Sequence, residues 1–187
     1  MKPARASLRL IAAAGVATFV LAGASIFALA ISKGAFSNRW AGSNTQCSAP
    51  NLPGALVQVT LANMGGAMMG AAQGGPTMRI FTNIATVPTG TVSLRVANTG
   101  TLVHELVVLP LPAGQRVGHR PIGNDDRVDE TGSLGEASRT CGAGRGDGID
   151  PASMTWTTLH LAPGNYELVC NLPGHYAAGM YTELSVA

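Results

Sequence analysis

Cys170-Asn171-Leu172-Pro173-Gly174-His175-Tyr176-Ala177-Ala178-Gly179-Met180 sets a thiol, an imidazole and a thioether at equal intervals, with four residues between each donor and the next. As a set these donors are soft, and a soft site favours copper over calcium, magnesium or manganese. Asn171 and the Pro173-Gly174 pair carry turn chemistry, so the stretch reads as a loop leaving a strand. A second imidazole is needed for a trigonal two-His, one-Cys site with a weak axial Met. His104 is the best placed one. In Leu102 to Leu109 the even positions Leu102, His104, Leu106 and Val108 form one apolar face with a single histidine in it, and Glu105 falls on the other face.

Outward from these two segments the chain reads as short strands and turns. Ala55, Val57, Val59 and Leu61 share a face opposite Gln58 and Thr60, the period of two. Met78 to Ile84 reads as a strand. In the next one, Val92, Leu94 and Val96 point inward and Ser93 and Arg95 outward. Met154 to Leu161, Tyr166 to Cys170 and Tyr181 to Val186 complete the pattern, with turns at Pro88-Thr89-Gly90 and Ala162-Pro163-Gly164. Seven or so short strands separated by turn signals argue an all-β sandwich. Residues 110–153 show little strand pattern and form a long connection, of the kind that is either functional or disordered. There is no internal repeat and no second domain.

Two segments carry a family resemblance: Asn98-Thr-Gly-Thr-Leu-Val-His104-Glu-Leu-Val-Val108, and Pro163-Gly-Asn-Tyr-Glu-Leu-Val-Cys170 running on to Met180. They are similar to the cupredoxins, the blue copper proteins, in their sulfocyanin and rusticyanin-like branch. The resemblance covers the chain from about residue 54 to its end, apart from the 110–153 insertion. It implies a cupredoxin-like Greek-key β-sandwich and one type 1 copper ion held by His104, Cys170 and His175 with Met180 axial. It also implies passage of single electrons between redox protein donors and acceptors. The residue before Cys170 is Val169 rather than His, so the bridge to a catalytic copper found in multicopper oxidases and copper nitrite reductases is missing. No second Cys lies between Cys170 and His175 to build a dinuclear centre, and no other His cluster exists. The pattern therefore points to an electron carrier and not an enzyme; a copper delivery or storage module is the alternative. Zinc is disfavoured, because a thioether is a poor zinc ligand.

Glu105 departs from the polar residue that follows the first His in several cupredoxins. Its carboxylate is expected to point away from the metal face, with its backbone N–H within reach of the sulfur. A solvent-facing edge of His175 ringed by Pro173, Tyr176, Ala177 and Ala178 is the expected electron port. Met64, Met68, Met69 and Met78 read first as packing residues and second as a soft cuprous site. His119 and His160 read as surface residues. The acidic cluster Asp125, Asp126, Asp129 and Glu130 reads as a solvated loop, with docking of a basic partner as the sharper alternative.

The N-terminus sets where such a protein works. Leu10 to Ser32 contains no charged residue and is long enough to span a bilayer as a helix. Lys2, Arg5 and Arg9 precede it, so residues 1–9 are expected to stay cytoplasmic and the rest to be exported. A secretory signal peptide processed near Ala28-Leu29-Ala30 is the competing reading, although its apolar core is typically only about 7–15 residues. Residues 33–53 read as a tether and 54–187 as the copper domain. From residue 41 onward seven Arg face ten acidic residues, giving −3, so no basic surface for nucleic acid is available. Cys47 and Cys141 remain once Cys170 is assigned to metal. In an exported domain two spare cysteines tend to pair, though sequence alone does not bring them together. The domain is expected to be a monomer.

Overall fold

The computed structural model describes residues 47–63 and 78–187. The apolar run Leu10 to Ser32, the tether up to residue 46, and Met64, Met68 and Met69 lie outside the described residues. Among the described residues no helix is long and apolar enough to cross a membrane.

The alternating patterns become the two sheets of an all-β sandwich. β1 (Ala55–Asn63) buries Val57, Val59 and Leu61 and exposes Gln58. β2 (Met78–Thr82) runs antiparallel to it, with Ile80 opposite Leu61. On the other side of β1 lies β4 (Gly90–Asn98), parallel, and then β7 (Met154–Leu161), antiparallel to β4. The second sheet takes β3 (Thr86–Val87), β9 (Tyr181–Val186), β8 (Gly164–Val169), β5 (Leu106–Leu111) and β6 (Gly135–Ala137), in that spatial order. Both sheets are mixed, since β1 with β4 and β3 with β9 are the parallel pairs. Their inner faces meet in one core that includes Val57, Leu61, Leu94 and Val96 from the first sheet and Leu106, Val108, Leu168 and Leu184 from the second. Tyr166 donates its hydroxyl to the Ala162 carbonyl at 2.8 Å and so closes the turn between β7 and β8.

The strand boundaries differ from the sequence pattern where side chains capture the backbone. The strand expected over Met78 to Ile84 ends at Thr82, because Asn83 exchanges hydrogen bonds with Gln58: its N–H reaches the Gln58 carbonyl at 3.0 Å and its Oδ1 accepts the Gln58 N–H at 2.7 Å. The strand expected from Leu102 starts only at Leu106, and Leu102 and Val103 are exposed. Asn98 donates to the carbonyls of Leu102 and Ile149, and Asn63 accepts the N–H groups of Thr101 and Leu102. These side chains meet the backbone's hydrogen-bonding needs in place of a neighbouring strand. Ser93 does point away from the core but is fully buried, donating to the Pro53 carbonyl at 2.6 Å and lying 2.8 Å from the Thr158 hydroxyl.

The long connection after β5 is an ordered cover on the outer face of the second sheet. Val128 packs there with Val107, Leu109, Val169 and Tyr176 in a second apolar cluster. That explains the unbroken apolar run Leu106-Val107-Val108-Leu109, since a strand covered on both faces loses its alternation. Backbone bridges Ile122–Val128, Arg139–Gly148 and Ala143–Trp156 brace the rest of it. Cys141 from this segment forms the expected disulfide with Cys47, at a Cα separation of 5.0 Å across 94 positions of sequence. With Pro53 bonded to Ser93 as well, the described end of the tether is fastened to the sandwich.

Candidate metal centre

At the end of β8 the chain turns back on itself. The Cys170 N–H donates to the Met180 carbonyl at 3.0 Å, and the Met180 N–H to the His175 carbonyl at 3.1 Å. Between them, the N–H of His175 bonds the Leu172 carbonyl and that of Ala178 the Gly174 carbonyl, both at 3.0 Å. Gly174 sits at φ +79°, a left-handed conformation that a residue without a Cβ adopts at no steric cost. The loop thereby places His175 Nδ1 3.2 Å from Cys170 Sγ. His104 approaches from the opposite side, fixed by a two-bond bridge in which its N–H reaches the Ile149 carbonyl at 3.2 Å and its carbonyl accepts the Ile149 N–H at 2.7 Å. Its Nδ1 lies 3.2 Å from His175 Nδ1 and 4.0 Å from Cys170 Sγ. One donor atom from each of the three side chains falls within 4.8 Å of the others. Cys170 and His104 are fully buried and His175 is half-buried. Met180, also fully buried, joins the core beside Cys170.

Burial dominates the electrostatics. It pushes the Cys170 thiol up to about 12, against the pull of the Glu105 and Leu172 amides. Burial, with the charge of His175 second, brings His104 down to about 4, and burial lowers His175 as well. Burial thus favours the neutral form of all three donors where they come together, and a cation rather than a proton would satisfy a thiolate there. The Glu105 N–H lies 3.4 Å from Cys170 Sγ, as its position after His104 anticipates. The Glu105 carboxyl turns away, accepts the Asn171 N–H at 3.1 Å, and is pushed up to about 7, first by burial and then by Glu136 and Glu130.

One fully buried thiol, one fully buried imidazole and one half-buried imidazole, beside a thioether-bearing residue, are the donor types that a two-His, one-Cys copper site requires. The fold is cupredoxin-like. No protein-family model matches it, and no curated protein matches it. Among solved structures it is similar to dithionite-reduced auracyanin from the photosynthetic bacterium Roseiflexus castenholzii, at 21% identity over 73% of this chain and 98% of that one, with a TM-score of 0.45. It is also similar to rusticyanin from Thiobacillus ferrooxidans, at 22% identity over 72% of this chain and 79% of that one, with a TM-score of 0.41.

Tyr176 is the residue that moves from its expected place. It does not ring the exposed edge of His175; it is 2% exposed and donates its hydroxyl to Glu167 at 2.8 Å. Glu167, fully buried, also accepts the Gly118 N–H at 2.7 Å and pairs with Arg120. That leaves Pro173 and Ala177 exposed and Ala178 half-buried around His175. The roles of Asn63, Asn98 and Glu167 are not evident from sequence, where Asn171 reads only as a turn former. Asn171 accepts the Val128 N–H at 2.8 Å and donates to the Val128 carbonyl at 3.0 Å, which fastens the insertion to the ligand loop. A polar residue ending or interrupting an apolar strand was the only available signal for these positions. His119 and His160 are exposed and stand apart from the cluster, and Met78 packs against the core.

Proposed function

We propose that this protein is a membrane-tethered, extracytoplasmic blue copper protein that passes single electrons between larger redox proteins. His104, Cys170 and His175 would hold the copper, with Met180 contributing a thioether sulfur. The observation that carries this reading is the convergence of one buried thiol and two imidazoles at the end of a packed sandwich. Bound there, copper supplies a one-electron couple tuned by the thiolate and thioether. The remaining work belongs to the chain. Cys170 contributes the thiolate and loses its proton when the metal enters. The bridge to Ile149 and the bonds within the 170–180 loop keep the donors in place in both oxidation states, so little rearrangement opposes electron transfer. Burial of His104 and Cys170 keeps water out, while the half-buried edge of His175 between Pro173 and Ala177 serves as the electron port. The apolar run from Leu10 to Ser32 is the anchor, and the redox partners are proteins.

The deciding experiment is a visible spectrum of the protein loaded with cupric ion, followed by a redox titration. An intense thiolate-to-copper band that bleaches reversibly on reduction supports the reading. A colourless, redox-silent complex that gives up its copper readily would replace it with copper delivery or storage.

A further inference from the structure

We propose that Asn63, the last residue of β1, is the positioning residue that keeps the His104 proton on Nε2, so that Nδ1 faces Cys170 and His175 as a free lone pair. Asn63 Oδ1 lies 3.2 Å from His104 Nε2. The orientation of the Asn63 amide is settled by its other partners. The N–H groups of Thr101 and Leu102 both donate to the same atom, at 2.7 and 3.2 Å, which an amide nitrogen could not accept. Asn63 Nδ2 in turn donates to the Thr101 hydroxyl at 2.9 Å. The atom facing His104 is therefore an acceptor, and Nε2 must carry the hydrogen. In a neutral imidazole that leaves Nδ1 unprotonated, and Nδ1 is the nitrogen that lies near Cys170 Sγ and His175 Nδ1.

The surroundings are shaped for this contact. Gly100 passes directly over it, and a Cβ there would come within 2.0 Å of Asn63 Oδ1 and 3.0 Å of His104 Nε2. Asn98 Oδ1 accepts the Gly100 N–H at 2.9 Å and holds that turn in place. Without the Asn63 acceptor the ring is free to adopt the opposite tautomer, with a hydrogen where a metal must bind. Partners of this kind on a ligating histidine also raise its donor strength.

The test is nitrogen-15 NMR of the imidazoles in the metal-free protein at neutral pH, which does not depend on the copper reading. Wild type is expected to show His104 with Nε2 protonated and Nδ1 free. Asn63→Asp is expected to keep that tautomer, whereas Asn63→Ala and Gly100→Ala are expected to give a mixture. The electrochemical arm rests on the proposed copper site: Asn63→Asp should lower the midpoint potential, and Asn63→Ala should weaken copper binding by about 10–100-fold. A wild-type His104 protonated on Nδ1 would overturn the assignment even if no variant folds, as would an unchanged tautomer in both alanine variants. Absence of the blue band with the Nε2–H tautomer intact would sink the copper reading and leave the role of Asn63 standing.

Discussion

The Cys170 sulfur has two backbone amides directed at it, from Glu105 and Leu172, yet burial first, and the nearby Glu105 carboxyl after it, hold its proton in place. A metal is what turns that thiol into a ligand, so the visible band must depend on this single atom. Cys170→Ser is expected to abolish the band completely while far-ultraviolet circular dichroism stays that of the sandwich; a variant that remained blue would be incompatible with the site. His175 allows a separate test, because its port can be altered without touching a donor. Ala177 is exposed beside it, and Ala177→Asp places a charge that must be desolvated on contact with a partner. Electron exchange between copies of the protein, followed by NMR line broadening, is expected to slow several-fold with the band unchanged. The cluster of His104, Cys170 and His175 was readable in sequence because the spacing and types of these residues are chemically unusual together. Asn63 and Tyr176 were not, because only the folded chain sets an acceptor beside Nε2 or turns a tyrosine inward toward a buried glutamate.

At the scale of elements, alternation gave away the strands that are half-covered, such as β1 and β7, and concealed what lies over β5. The insertion buries the outer face of β5, so Val107 and Leu109 are as buried as Leu106 and Val108. No local pattern in residues 112–134 announces this cover, since it is held by scattered side-chain bonds to the ligand loop. Asn171 makes the central one. Asn171→Ala leaves the Val128 N–H and carbonyl buried without partners, at a cost of about 1–3 kcal/mol. Thermal unfolding is expected roughly 2–4 °C lower for each kcal/mol lost. An unchanged melting temperature would mean that the insertion stays docked without Asn171. The Cys47–Cys141 bond acts on the same insertion from the other end. By the chain-entropy argument, closing so long a loop stabilises by about 4–5 kcal/mol. The double variant Cys47→Ala/Cys141→Ala is expected to melt lower than wild type by on the order of 10 °C, with scanning calorimetry as the check. A loss within error would show that packing alone seats the insertion.

Over the whole molecule, charge and apolar character are divided by position in the chain. Five cationic residues and no acidic one precede residue 41, and from there on the balance is −3. Residues 44–187 form a compact unit in their own right, and its described part holds both sheets and every proposed donor. The proposed division of labour is that the first part fixes the address and the second does the redox work. A protein starting at Asn44 is therefore expected to be soluble, to form the disulfide and to turn blue with cupric ion. The full chain is expected to sediment with membranes and to be released by detergent but not by high salt, because an apolar segment of about 20 residues is held by the hydrocarbon and not by charge. Release of a blue full-length protein by salt alone would leave the tethering proposal without support. A mature protein beginning just after Ala30 would replace the anchor with a processed signal, and the copper chemistry of the domain would be unaffected.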